Sequence, residues 1–255
     1  MHVPARPPVL SGPTPRILAH RGFGPPAEGN TLVAFERALA AGADLLETDA
    51  RASLDGVAVL VHDAEVVDVT GRRHAVASTR WEELADLELI GGARLASLEQ
   101  ALASLPHARF TIDVKAGDAV LPVVTAIVGA AAAHRVLVTS FSEQRRAATI
   151  RRLPGAATSA SAVRFVVALI AAYLGAGLPV LLALRGIHAL QVPESALGLR
   201  VARPPILSRL RATGCEIHLW TINDPERMRE LLALGVDALV TDRTDLARAA
   251  VDALS

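Results

Sequence analysis

This chain predicts a (β/α)8 TIM barrel, an α/β fold of eight parallel strands, on three observations. Its 255 residues match the usual length of one such barrel, about 250 residues. Short apolar runs alternate with helical stretches from residue 16 onward, the pattern of a parallel sheet covered by helices. The polar residues of interest stand at the C-terminal ends of those runs, where a barrel carries its chemistry. No linker divides residues 16–255, so they read as a single domain rather than two small ones. Residues 1–15 hold several prolines and no early apolar run, and read as a flexible arm rather than a signal peptide.

Composition narrows the function. Half the residues are hydrophobic (51%) but only 3% are aromatic, so the core must be built from Ala, Val, Leu and Ile. Net charge is zero with no Lys/Arg block, which argues against a nucleic-acid partner, whose affinity comes largely from phosphate neutralisation. The single Cys215 cannot form an internal disulfide and fits a reducing, cytoplasmic setting.

The elements follow in order. Arg16–His20 is a short buried-type strand. Residues 31–41 form a helix with Leu32, Phe35, Ala38 and Leu39 on one face, capped by Asn30 or Thr31 and ended by Gly42. The second strand starts at Leu45 and alternates through Leu54 to Asp55-Gly56, a strong hairpin signal, and Val57–Val61 runs back to His62. A two-residue turn there pairs Leu54 with Val57 and sets Asp49 opposite His62. Glu47 and Asp49, two apart, share that face. The stretch Ala64–Gly92 is an insertion on the rim, with a charged helix near 79–87. Further strands end near Lys115, Phe141, Ser161, Val192, Asn223 and Asp242, each followed by a helix.

One segment stands apart. Phe165–Leu184 runs for twenty residues without a charge, long enough to span a bilayer, but Gly175, Gly177 and Pro179 interrupt it. It reads as a buried barrel helix, a break and a second apolar piece, with weak lipid contact at a rim lip as the intermediate reading.

Several motifs then converge: His20-Arg21-Gly22, Glu47-x-Asp49, Ser53-x-Asp55-Gly56, His62-Asp63, Ser97-Leu98-Glu99, Asp113-Val114-Lys115, Ser140-Phe141, Trp220-Thr221-Ile222-Asn223, and Gly235-Val236-Asp237 leading to Thr241-Asp242. In order and spacing, over residues 16–250, the chain resembles the glycerophosphodiester phosphodiesterase family. The resemblance implies cleavage of glycerophosphodiesters, small-molecule substrates, to sn-glycerol 3-phosphate and an alcohol. It implies His20 and His62 as general acid and base, and Glu47, Asp49 and Asp113 as ligands of one divalent metal. It also implies Arg21 and Lys115 as phosphate contacts and Trp220 as an aromatic wall. Asp113 stands where the family has glutamate, one methylene longer. The family's Pro-Glu-Asn-Thr reads Glu28-Gly29-Asn30-Thr31 here, which makes Glu28 a displaced candidate for the usual glutamate. The Arg-Thr-Thr element after His-Asp is replaced by Asp68-Val69-Thr70.

The chemistry suits those groups. A phosphodiester is anionic, and a hard cation held by carboxylates neutralises it; oxygen-only ligands favour Mg²⁺ or Ca²⁺. Histidine titrates near neutrality and serves both proton transfers. A lone histidine at a strand end is ordinarily structural, and convergence with Glu47, Asp49 and Lys115 on one rim is what favours function. Asp63 orients His62 or caps a turn. His74, His107, His134, His188 and His218, like His2, read as surface or packing residues. Two rival functions are a lysophospholipase D-like hydrolase of acylated substrates and a phosphodiester-binding barrel without turnover.

Overall fold

The computed structural model describes residues 6–254. Eight parallel strands form the barrel: β1 Arg16–His20, β2 Leu45–Ala52, β3 Phe110–Val114, β4 Val136–Thr139, β5 Ala157–Thr158, β6 Ala189–Pro193, β7 Glu216–Trp220 and β8 Ala238–Thr241. They pair in the order β5-β4-β3-β2-β1-β8-β7-β6. The ring closes where Ser159 bridges Ala189 and the His188 amide donates to the Thr158 carbonyl at 2.9 Å. Among the described residues nine helices of seven or more residues follow the strands or their rim loops, from Leu32–Ala40 to Thr244–Asp252, as the alternation predicts. Hydroxyl caps start three of them: Thr31 accepts from the Ala34 amide, Ser97 forms a capping box with Gln100, and Ser142 accepts from the Arg145 amide.

Strand periodicity sorts the side chains. Ile17, Ile217 and Leu239 point out and pack among the surrounding helices. Leu18, Leu45, Leu137, Ala157, Ala189, Ala238 and Val240 form a separate cluster inside the ring. The interior is therefore lean, and polar side chains share it. From the N-terminal end upward β1 presents Arg16, Leu18 and His20, and β7 presents Glu216, His218 and Trp220.

Three expectations need correction. The first concerns the arm. Residues 1–5 lie outside the described residues, but Pro8–Leu10 form a 3-10 turn whose Val9 and Leu10 are buried against the interior cluster. They stopper the N-terminal mouth of the barrel. Two apolar residues among prolines carry no periodicity, so the sequence gives no hint of this. Arg16 fixes the stopper by donating to the carbonyls of Leu10, Ser11 and Gly12.

The second correction is the hairpin register. The return arm Ala58–Leu60 pairs Ala52 with Ala58 and Ala50 with Leu60. The loop holds three residues, Leu54–Gly56, with Gly56 at φ +81°, a conformation that glycine adopts without a steric penalty. Ser53 shapes it, accepting from the Val57 amide at 2.9 Å and donating to Asp55 at 2.7 Å. Asp49 thus faces Val61, whose amide donates to the Asp49 carbonyl at 3.0 Å. His62 follows the paired stretch, its carbonyl held by Arg51 Nε at 2.8 Å.

The third concerns three of the histidines read as surface or packing residues, which have hydrogen-bond partners. His74 bonds Asp68 at 2.8 Å in the rim insertion, His188 accepts from the Thr158 amide at 3.1 Å, and His218 is fully buried inside the barrel. His218 Nε2 lies 3.0 Å from Glu216, which also pairs with Arg16 at 3.2 Å. Burial pushes the Glu216 carboxyl up, but the bonds from His218 and Arg16 prevail and hold it at about 2. A carboxyl held below its usual value stabilises the fold above that usual value, and the contribution is lost as pH falls toward 2. Glu216→Gln leaves Arg16 buried without its counter-charge and is expected to cost about 3–5 kcal/mol in urea unfolding at pH 7. The deficit should shrink on acidification toward pH 3, and a constant deficit would refute the ionic account.

The apolar segment splits into the helices Ala162–Tyr173 and Gly177–Ala183, with Gly175 at φ +72° between them. Among the described residues no helix is long and apolar enough to cross a membrane. The rim insertion is a small hairpin, Glu65–Val67 with Arg73–Ala75, followed by the helix Trp81–Asp86.

Candidate active site

The C-terminal mouth of the barrel holds a cavity of about 250 Å³. His20, Arg21, Glu47, Asp49, His62, Asp113, Lys115 and Trp220 all line it. Register accounts for much of the convergence. His20 lies beside Glu47, and Asp49 beside Asp113, on directly paired strands. Arg21 takes φ +60° just past β1, and its amide donates to Glu47 Oε2 at 3.1 Å. Gly22 is obligatory there, since a Cβ would come within 2.7 Å of Ala34.

Charge is concentrated and poorly hydrated. Lys115 Nζ bridges Asp49 at 2.8 Å and Asp113 at 2.7 Å, and Arg21 Nε lies 3.1 Å from the other Asp49 oxygen. Burial raises the Asp49 carboxyl, but Lys115 and Arg21 outweigh it and keep it ionised below its usual range. Glu47 has no such partner. Burial, then the charges of Asp49 and Asp113, push its carboxyl well above its usual value. Burial also lifts Asp113 against the pull of Lys115. Lys115 is itself desolvated, yet Asp113 and Asp49 hold its ammonium above its ordinary value.

Each histidine rests on a carboxylate. His20 Nδ1 lies 2.7 Å from Asp242, and His62 Nδ1 lies 2.7 Å from Asp63. Asp242 is in turn held by Asn223 Nδ2 at 2.7 Å, and the His20 bond keeps its carboxyl below the usual range. An Nδ1–H donated to a carboxylate fixes the tautomer in which Nε2 carries the basic lone pair.

One candidate stays outside. Glu28 sits on the 3-10 turn Pro26–Glu28, pairs with Arg37, and does not line the cavity. Its neighbour Asn30 enters instead. Asn30 is buried at φ +64°, donates to Asp49 at 3.2 Å and accepts from Thr48 at 2.7 Å. Asn30, Asn223 and Asp242 stand in the quoted motifs but were assigned no role at the site. For Asn223 and Asp242 the signal was their place just past a strand end. Gln191, also in the lining, lies within β6 and lacks even that, while Thr139 ends β4 but stands outside the quoted motifs.

The fit to a cation is legible in the donors. Among the described residues no three His, Cys, Asp or Glu side chains are already arranged around one ion position, and Lys115 bonds both Asp49 and Asp113. Yet Asp113 Oδ1 is buried without a hydrogen-bond partner, and Glu47 is buried among carboxylates that raise its pKa. An all-oxygen set with an orphaned oxygen and uncompensated charge suits a hard divalent ion.

A (β/α)8 barrel with two carboxylate-backed histidines over an acidic, lysine-bridged floor defines a TIM-barrel phosphodiesterase. The model of the glycerophosphoryl diester phosphodiesterase family matches residues 20–246, and the chain belongs to that family. A probable glycerophosphodiester phosphodiesterase 2 of Mycobacterium tuberculosis is 36% identical, covering 91% of this chain and 88% of its own. The crystal structure of a glycerophosphodiester phosphodiesterase from Agrobacterium tumefaciens superposes with a TM-score of 0.76 at 25% identity, over 94% of this chain and all of that one. An Oleispira antarctica phosphodiesterase, solved with its product sn-glycerol-3-phosphate, shares the fold at a TM-score of 0.73 and 21% identity, covering 93% and 97%. The chain is an enzyme that hydrolyses glycerophosphodiesters.

Proposed function

We propose that the cavity cleaves glycerophosphodiesters to sn-glycerol 3-phosphate and an alcohol, with His20 and His62 as the acid–base pair. The observation that carries this reading is the pair of histidines whose Nδ1 atoms are each tied to a carboxylate, leaving both Nε2 atoms for proton transfer. One histidine takes the proton of a glycerol hydroxyl as that oxygen attacks phosphorus. The other protonates the departing alkoxide, and water then opens the cyclic phosphate. Arg21 and Lys115 hold the nonbridging oxygens, and the Trp220 ring walls the substrate. Glu47, Asp49 and Asp113 would hold one Mg²⁺ or Ca²⁺, which when bound neutralises phosphate charge. The product seen with the Oleispira antarctica enzyme agrees with this outcome. A cytoplasmic setting accords with the single, buried Cys215.

The test is release of glycerol 3-phosphate from glycerophosphocholine, with and without EDTA. Release abolished by EDTA and restored by Mg²⁺ or Ca²⁺ is the expected result. Phosphodiester binding with no metal-dependent release from any glycerophosphodiester would leave only the binding-barrel reading.

A second reading has its own observation. An apolar cavity of about 210 Å³ adjoins the first and shares Thr139, Phe141, Gln191 and Trp220 with it. Phe165, Val166, Val192, Pro193 and Leu197 line its far side. A hydrocarbon chain would fill it, which favours a lysophospholipase D-like substrate. Choline released faster from lysophosphatidylcholine than from glycerophosphocholine supports this reading, and the reverse order removes it.

A further inference from the structure

The helices Ala162–Tyr173 and Gly177–Ala183 leave an apolar face uncovered. Val163, Val167, Ile170 and Leu174 recur at helical spacing and are all exposed, Leu174 to 77%. Leu178 and Leu182 on the second helix are 67% and 61% exposed. The opposite face of the first helix buries Phe165 and Leu169 in the core, so the outward stripe is not a core left open by a missing element of the barrel. A patch of this kind marks a binding surface.

The border of the patch is basic. No acidic residue occurs from position 144 to 193, and from 144 to 215 the chain carries ten arginines against Glu194 alone, a formal +9 in a protein whose total is zero. Several of these arginines frame the two helices. Arg164 donates to the Ala183 carbonyl at 2.9 Å, Arg209 donates to the Ala172 carbonyl, and the Arg203 guanidinium lies 5.8 Å from the centre of the Tyr173 ring. Glu143 pairs with Arg164 and Arg146, whereas among the described residues Arg185, Arg203 and Arg209 pair with no carboxylate.

We propose that this face docks on an anionic lipid bilayer, leucines and valines in the acyl boundary and arginines at the headgroups. The charge pattern selects this occupant. A second copy related by a two-fold axis would set one basic border against another. A nucleic acid would leave the leucines unmatched. Neither helix crosses a bilayer, so the contact lies in the interface plane. The same helix lines the apolar cavity from within through Phe165 and Val166, so the docked face backs the wall of the chamber beside the reaction site. The inference stands apart from the substrate reading, since binding alone is measured.

The test is cosedimentation of the whole chain with vesicles of phosphatidylcholine, with and without an equal share of phosphatidylglycerol. Binding to the anionic vesicles, weakened by salt and much poorer to phosphatidylcholine alone, is expected. The double variant Leu174→Asp, Leu178→Asp alters only exposed positions. It should melt like the parent and bind the anionic vesicles at least about tenfold more weakly. A second variant, Arg185→Ala with Arg203→Ala, should keep the fold and lose salt-sensitive binding. No binding to either vesicle would overturn the proposal. So would equal binding to both, or a dimer in light scattering that the aspartates dissolve.

Discussion

Replacing His20 by alanine is expected to lower kcat by about 10²- to 10⁴-fold, and His62→Ala to do the same. Each change removes a proton carrier from one side of the same cavity and leaves the acidic floor and Lys115 in place. Substrate binding should persist, so KM moves far less than kcat. The two sides are not equally braced. Asp242, behind His20, is gripped by Asn223 and is half exposed, whereas the Asp63 side chain is 79% exposed and, among the described residues, bonds only His62. Asp242→Asn should therefore reduce kcat more than Asp63→Asn, because an amide can turn its NH2 toward His20 Nδ1 and release the tautomer that leaves Nε2 free. Steady-state turnover of glycerophosphocholine across pH 5–9 checks all four variants. Near-normal turnover in either alanine variant would remove that histidine from the chemistry.

How far the site was readable depends on whether a residue's role is local or tertiary. Strand-end positions were readable because a barrel puts the end of every strand on one rim. His20, Glu47, Asp49, Asp113 and Lys115 could be placed by counting alternation alone, and the paired registers agree. His62 was expected in the site by a register one residue off, and it reaches the cavity from beyond the paired stretch instead. The deciding feature was the pairing of Ser53 with Val57, the Ser53 amide donating to the Val57 carbonyl, which leaves three residues in the loop rather than two. Glu28 failed for the opposite reason: its sequence neighbourhood is suggestive, but a 3-10 turn directs it to Arg37. The interior chain of Arg16, Glu216 and His218 was invisible because no single strand reveals that the next one supplies its counter-charge. The stopper formed by Val9 and Leu10 depends in the same way on a ring that must close before it can be filled.

Glu47→Gln should abolish turnover and raise the melting temperature together. In the native fold Glu47 keeps its proton to higher pH than the usual 4.5, since burial and two neighbouring carboxylates oppose its charge. The stability tied to that proton is full below the unfolded value and is lost as pH rises through the raised folded value. At neutral pH the ionised side chain is therefore a cost to the fold. Glutamine keeps the neutral state at every pH and still accepts from the Arg21 amide. The remaining floor then balances Asp49 and Asp113 against Arg21 and Lys115. Each kcal/mol recovered raises Tm by roughly 2–4 °C in a chain of this size. Turnover should fall at least about 10²–10³-fold, the usual loss when one preorganised electrostatic partner is removed. A melting series with and without Mg²⁺ separates the causes. Added ion should stabilise the parent, by RT ln(1 + [L]/Kd), and leave Glu47→Gln nearly unmoved. If Mg²⁺ lifted both proteins equally, Glu47 would be no ligand. If the variant melted no higher than the parent, the burial of its charge would already be compensated by the lysine and arginine beside it. The expected pairing of higher stability with lost activity follows from one fact: the carboxylates are packed more tightly than the protein's own cations can neutralise.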